Sequence, residues 1–198
     1  MDTKSASGPG GAEQRLLAGA TEAFASKGYH GTSTREIAAR AGMSPAAMYI
    51  HFNSKQEVLG RLSLAGHASA FSALKQGADT PGSPRKRLRA AVYQFAFWHA
   101  ENHTTARVVQ YELEALDELN RAEVVRIRHD IVVTVREIIA EGSRSGEFAV
   151  ADIDVTTLAI LSLCIDTVRW YPSRELHNPE SVGVSFAAMA ERMAGATG

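Results

Sequence analysis

The chain has 198 residues, enough for one large helical domain or two small ones sharing a core. Its 45% hydrophobic and 22% charged content excludes a disordered chain. Its 21 Lys and Arg against 22 Asp and Glu give a net charge of −1, which excludes a uniformly basic coat for nucleic acid. The charge is uneven, however: residues 1–55 hold six basic and four acidic side chains, and the remainder fifteen and eighteen.

The single cysteine, Cys164, excludes an internal disulfide and a Cys-based zinc site. Its neighbours Leu161, Leu163 and Ile165 mark it as a buried small hydrophobe. The Ser/Gly/Pro-rich start lacks the apolar stretch of a signal peptide, and no run reaches the roughly 18 apolar residues of a membrane span. The expected location is the cytoplasm.

In chain order, residues 1–10 read as a disordered arm. A first helix over about Ala12–Lys27 carries Leu16, Ala20, Ala23 and Phe24 on one face, and Gly28 stops it. Ser33-Thr34-Arg35-Glu36 has the capping-box pattern, with Ser33 capping and Glu36 reaching back. It opens a short helix to about Ala41, closed by Gly42. Ser44-Pro45 starts a second, over about Pro45–Phe52. Asn53 to Glu57 then cap a long helix through about Gln76. After the break Thr80-Pro81-Gly82-Ser83-Pro84, the spacing predicts helices over about Pro84–Glu101, Thr104–Leu116, Arg121–Ser145 and Asp154–Tyr171. Asn178-Pro179 begins the last, with the stripe Val182, Phe186, Met189 and Met193. The fold class is all-α with about nine helices. Expected units are the arm (1–10), a helix-turn-helix head (11–57) and a larger helical body (58–198).

Two short helices joined by a Gly-containing turn form a helix-turn-helix unit, whose second helix enters the DNA major groove. Met48 and Phe52, four apart, face the core, whereas Ser44, Ala46, Ala47, Tyr49, Ile50 and His51 are available outside. Tyr49, His51 and Lys55 suit phosphate oxygens, and Thr34 and Arg35 add phosphate or base-edge hydrogen bonds. Residues Gly31 to Ala38, Ala41 to Pro45 and Met48 to Lys55 together resemble the N-terminal domain of TetR-family transcriptional regulators over about residues 12–60. The resemblance implies that Thr34, Arg35, Ser44, Ala46, Ala47, Tyr49, His51 and Lys55 contact double-stranded operator DNA. Ile50 departs from the polar or basic residue common among relatives. Because Ala46 and Ala47 are short, specificity would rest on DNA shape, a thymine methyl or Arg35.

The same resemblance implies an inducer pocket and a homodimer formed by the last two helices. The Asp154–Tyr171 helix is apolar on more than one face, so it must be covered twice. Leu161, Ile165, Val168, Phe186, Met189 and Met193 are the candidates for the dimer interface. Phe97, Trp98, His103, Arg107, Tyr111, Asp166, Arg169 and Trp170 are the candidates for the pocket. His99 and His103 stand four apart, but Glu101 does not fit a His-Glu-x-x-His zinc pattern, and no metal or cofactor is expected. The Arg169-Trp170-Tyr171 end resembles TetR-family repressors of fatty-acid and steroid breakdown that respond to acyl-CoA thioesters, with Arg169 facing phosphates. An aromatic or multidrug-type ligand would instead use the aromatics with an acid such as Glu112, Glu114 or Asp166. The implied function is a ligand-responsive repressor on a palindromic operator. Its alternatives are an all-α enzyme, for which no di-iron or phosphate-loop motif is present, and a helical adaptor without DNA binding.

Overall fold

The structure, a computed structural model, describes residues 9–172 and 178–196. Residues 1–8 of the expected arm lie outside the described residues, while Pro9 and Gly10 already begin α1 (Pro9–Lys27). There follow α2 (Thr34–Arg40), α3 (Pro45–His51), α4 (Lys55–Ala78), α5 (Pro84–Glu101) and α6 (His103–Tyr111). A 3-10 turn at Leu113–Ala115 leads to α7 (Glu118–Ser145), α8 (Ile153–Ile165), the short α9 (Thr167–Trp170) and α10 (Pro179–Met193). Among the described residues the only β pairing is an isolated bridge between Phe148 and Ala196. The all-α expectation holds. The stretch expected as one Asp154–Tyr171 helix is broken at Asp166, and its N-cap is Asp152, whose side chain accepts from Val155 N. Asp154 instead pairs with Arg136 at 2.6 Å.

The local signals that start and stop the helices are visible in the hydrogen bonds. Gly42 at φ +66° lets Met43 N donate to Ala38 O and Gly42 N to Ala39 O, the paired bonds of a Schellman stop. Ser33, Ser44, Ser54, Asp117 and Asn178 all accept from the amide three residues on. Glu36 does not complete its capping box. Its carboxylate lies 3.0 Å from Lys27 and 3.3 Å from Arg40, two cations that satisfy it better than one backbone amide.

Two apolar clusters result. The first joins α1 to α3 with the start of α4, through Leu16, Phe24, Ile37, Met48, Phe52, Val58 and Leu59, and it extends to Val108, Val109 and Val124. The second is built on α5, whose Leu88, Val92 and Phe95 meet Leu74, Ile131, Ile138, Ile160 and Phe186. At the α4–α5 crossing Gly77 sits against the Ala90 carbonyl, with no room for a Cβ. Helix α4 contributes to both clusters, as does Leu64 between them, so head and body are packed through one continuous element.

Candidate DNA interface and ligand cavity

The candidate DNA-reading surface comprises the N-terminal turns of α2 and α3. Met48 and Phe52 are buried as expected, which turns Tyr49 (54% exposed) and Ile50 (80% exposed) outward. The Thr34 and Tyr49 hydroxyls lie 3.3 Å apart, so α2 and α3 present them as one polar pair. Ser44 Oγ accepts from Ala47 N, leaving its hydroxyl proton free to donate. Ala46 and Arg35 are exposed, and Ala47, Thr34 and His51 are half-buried.

Lys55 is not part of this surface. Its ammonium donates to Tyr29 O at 2.6 Å and Thr32 O at 2.8 Å, and it lies 4.2 Å from the Tyr29 ring centroid. The phosphate role expected for it gives way to an internal one, because the carbonyls of the turn after α1 converge on the start of α4 and need a donor. Glu36 takes Lys27 and Arg40, and Arg40 also lies 3.6 Å from Glu22. Arg35 is thus the cation of the helix-turn-helix left without an ion pair among the described residues.

The turn held by Lys55 has a second clasp. Glu112, at the end of α6, accepts from Tyr29 N at 2.9 Å, although 83 residues separate the two. Glu112 therefore joins head to body and is not a pocket acid.

A cavity of about 220 Å³ lies in the body between α4, α5, α6, α7 and α8. Its walls are mostly apolar, including Phe95, Val109, Ile131 and Leu161, with Trp98 fixed by a 2.9 Å bond from its indole nitrogen to Ser69 Oγ. The polar lining is His67, His99, Gln110, Arg128 and Ser162. Arg128 Nε donates to His67 Nε2 at 3.1 Å, which makes His67 Nδ1 the donor to Ser63 O. His67 is thus a neutral Nδ1–H tautomer, and Arg128 also donates to Gln110 Oε1 at 2.8 Å. Burial is the main force holding both His67 and His99 down to about 4. Burial likewise pushes the Cys164 thiol up to about 12, consistent with an inert packing residue.

An open groove adjoins the cavity and shares Gln110, Ser162 and Ile165 with it. It is lined further by Asp166, Arg169, Trp170 and Met193, with Arg169 3.4 Å from Asp166. Of the expected pocket residues, Trp98 lines the cavity, and Asp166, Arg169 and Trp170 line the groove. Phe97 instead stacks on Tyr93 at 6.1 Å, and His103 packs against Tyr171 at 5.2 Å. Arg107 and Tyr111 face solvent.

The expected dimer residues divide similarly. Leu161, Ile165 and Val168 line the cavity, and Phe186 is buried in its own protomer. Met189 and Met193 are exposed, as are Val155, Leu158, Trp170 and Val184. Sequence reasoning missed His67, Gln110 and Arg128. A signal was present: Arg128 interrupts the apolar stripe Val124, Ile127, Ile131, Val135 of α7, where a cation has no reason to be unless something there requires it.

A helix-turn-helix head packed on a helical body with a mostly apolar cavity defines a DNA-binding regulator of the kind that takes a small ligand. Residues 81–194 match the family model described as the tetracyclin repressor-like C-terminal domain, and residues 16–62 match that of the bacterial regulatory proteins of the tetR family. The chain belongs to the TetR family and is a DNA-binding transcriptional regulator. It is 29% identical over 185 residues to the HTH-type transcriptional repressor KstR2 of Mycolicibacterium smegmatis, covering 91% of this chain and 89% of that one. A crystal structure of a tetR-family regulatory protein from Rhodococcus RHA1 superposes with a TM-score of 0.88 at 40% identity, covering 94% of this chain and 98% of that one. AibR, solved with isovaleryl coenzyme A and operator DNA, shares the fold with a TM-score of 0.82 at 20% identity, over 94% of this chain and 100% of that one.

Proposed function

We propose that the protein is a homodimeric cytoplasmic repressor, released from a two-fold symmetric operator when an acyl-CoA thioester occupies the body. The observation that carries this is the apolar cavity joined through Gln110, Ser162 and Ile165 to the groove bearing Arg169 and Trp170. At about 220 Å³ the cavity is below the roughly 300–1,000 Å³ of drug-sized ligand pockets. It therefore suits an acyl group whose bulky polar head stays outside, where Arg169 offers a guanidinium to phosphate and Trp170 a ring to a base. The similarity to a repressor named KstR2 and to the fold of AibR supports the same reading. A cationic multidrug-type ligand is disfavoured, because the cavity lining contains Arg128 and no carboxylate.

Thr34, Arg35, Ser44, Ala46, Ala47, Tyr49, Ile50 and His51 are the proposed DNA contacts. The exposed apolar residues of α8 and α10, Val155, Met189 and Met193, are the proposed dimer face. Ligand would act by favouring a spacing of the two heads that no longer matches the half-sites. The test is a mobility shift on the DNA upstream of the protein's own gene, with octanoyl-CoA added or withheld. A sequence-selective complex that octanoyl-CoA dissolves, and CoA alone does not, is expected. A complex indifferent to every thioester tried would refute the ligand class.

A further inference from the structure

One feature of the cavity is not explained by an alkyl chain. Arg128 is half-buried among apolar walls, with its bonds going to two neutral acceptors, His67 Nε2 and Gln110 Oε1. No carboxylate reaches it among the described residues, although the neighbouring Arg126 has both Glu123 and Asp130. Of the five N–H donors of a guanidinium, these two bonds use two, leaving three. Neither histidine can act as a counter-charge. His67 is neutral and already accepts from Arg128, and His99 is fully enclosed with its Nδ1 donating to Phe95 O.

Filling the cavity with a purely apolar group would leave the remaining N–H donors of Arg128 without partners, and an unpaired cation in a dry site is costly. An anion carried on the ligand would remove that cost and form a planar two-point pair with the guanidinium. The other cavity polar groups fit this role. His67 and Gln110 lie on α4 and α6 and grip Arg128 from two sides, fixing the plane of its fork.

We propose that the cavity is selective for a ligand bearing a carboxylate on its buried part, which Arg128 receives while His67 and Gln110 hold the guanidinium in place. The anion has two possible sources: a free carboxylic acid, or a thioester whose acyl group carries a second carboxylate. This rests on the cavity being the inducer site proposed above, but not on the thioester.

The test measures binding by calorimetry of four probes: octanoate, 1-octanol, octanoyl-CoA and suberoyl-CoA, the last being octanoyl-CoA with a distal carboxylate. The full chain and its Arg128→Gln and Arg128→Lys variants are used, with helicity checked by circular dichroism. The expected result is at least tenfold tighter binding of the carboxylate member of one pair, octanoate over octanol or suberoyl-CoA over octanoyl-CoA. Arg128→Gln should abolish that preference and Arg128→Lys should keep part of it. Comparing probes on the unaltered chain needs no variant to fold. A preference for octanoate with no thioester binding would uphold the carboxylate and overturn the thioester reading. Equal binding within both pairs would overturn the carboxylate and leave the thioester standing. A preference that survives Arg128→Gln would assign the anion to another residue and overturn the inference. Failure of all four probes to bind would overturn both.

Discussion

Substituting Lys55→Met separates a DNA contact from a structural clasp. The substitution keeps the length and most of the apolar stem but removes the ammonium that bonds to Tyr29 O and Thr32 O. Each such charge-assisted bond contributes about 1.5–3 kcal/mol, and partial exposure of Lys55 places both near the lower figure. The 4.2 Å contact with the Tyr29 ring adds about 0.5 kcal/mol. The expected loss is about 3.5 kcal/mol, which for a chain of this size lowers Tm by roughly 7–14 °C. Urea or thermal unfolding followed by circular dichroism reads it directly. Arg35→Ala is the counterpart: an exposed side chain with no ion pair should change stability by under about 0.5 kcal/mol, yet weaken operator binding by about 1–3 kcal/mol. If instead Lys55→Met left Tm within about 2 °C while lowering operator affinity and reducing the salt slope by about one, the ammonium would be a phosphate donor and the clasp would be incidental.

Three further outcomes follow from the packing. His67 and His99 have folded-state pKa values near 4 against about 6.5 in the unfolded chain, so below pH 6.5 the unfolded chain takes up protons that the folded one refuses. Stability should therefore fall between pH 6.5 and 4 by about 3 kcal/mol per histidine, and His99→Gln should remove part of that slope in urea titrations; a flat profile there would contradict the burial. Glu112→Ala strips the acceptor from Tyr29 N and should cost about 1–2 kcal/mol, while reducing the ratio of operator affinities measured without and with ligand. Gly77→Ala drives a Cβ into the Ala90 carbonyl and should destabilise by at least about 2 kcal/mol in denaturant unfolding, without altering operator contacts in the remaining folded protein.

The parts of this molecule legible in the sequence are those fixed by short-range chemistry. Ser44-Pro45, Asn178-Pro179 and Gly42 each set a helix boundary from within four residues, and each works as its residue type dictates. Met48 was readable as core because a seven-residue helix has room for only one buried face, and Phe52, its C-cap four residues on, is buried beside it. What could not be read was decided by contacts far along the chain. Lys55 and Glu112 have the composition of surface residues, and only folding brings both to Tyr29. Helix α8 presents apolar residues all round, so periodicity could not say which face meets the cavity and which meets solvent. Of the residues assigned to the dimer, Leu161, Ile165 and Val168 line the cavity, whereas Met189 and Met193 on α10 and Val155 on α8 are exposed.

The negligible net charge acquires a mechanical meaning once its partners are known. Glu36 and Glu22 neutralise Lys27 and Arg40, and two carbonyls occupy Lys55, so the head offers DNA few bare cations. Attraction to arbitrary DNA is then weak, and in the proposed homodimer affinity would depend on the fit of two heads, with the N-termini of α2 and α3 adding partial positive charge. A regulator bound in this way is easy to release. Losing the fit of one head removes specific contacts without leaving a strong electrostatic residue to hold the complex, so a coupling of about 1–3 kcal/mol is enough. The structure supplies a short route for that coupling. Helix α6 lines the cavity with Ala106, Val109 and Gln110, and its C-cap Glu112, two residues on, grips the head. Helix α4 lines it with Gly66, His67 and Ala70 and grips the same turn through Lys55. Under the proposed function, a ligand that separated these two helices would act on Tyr29 from both sides, through Glu112 and Lys55.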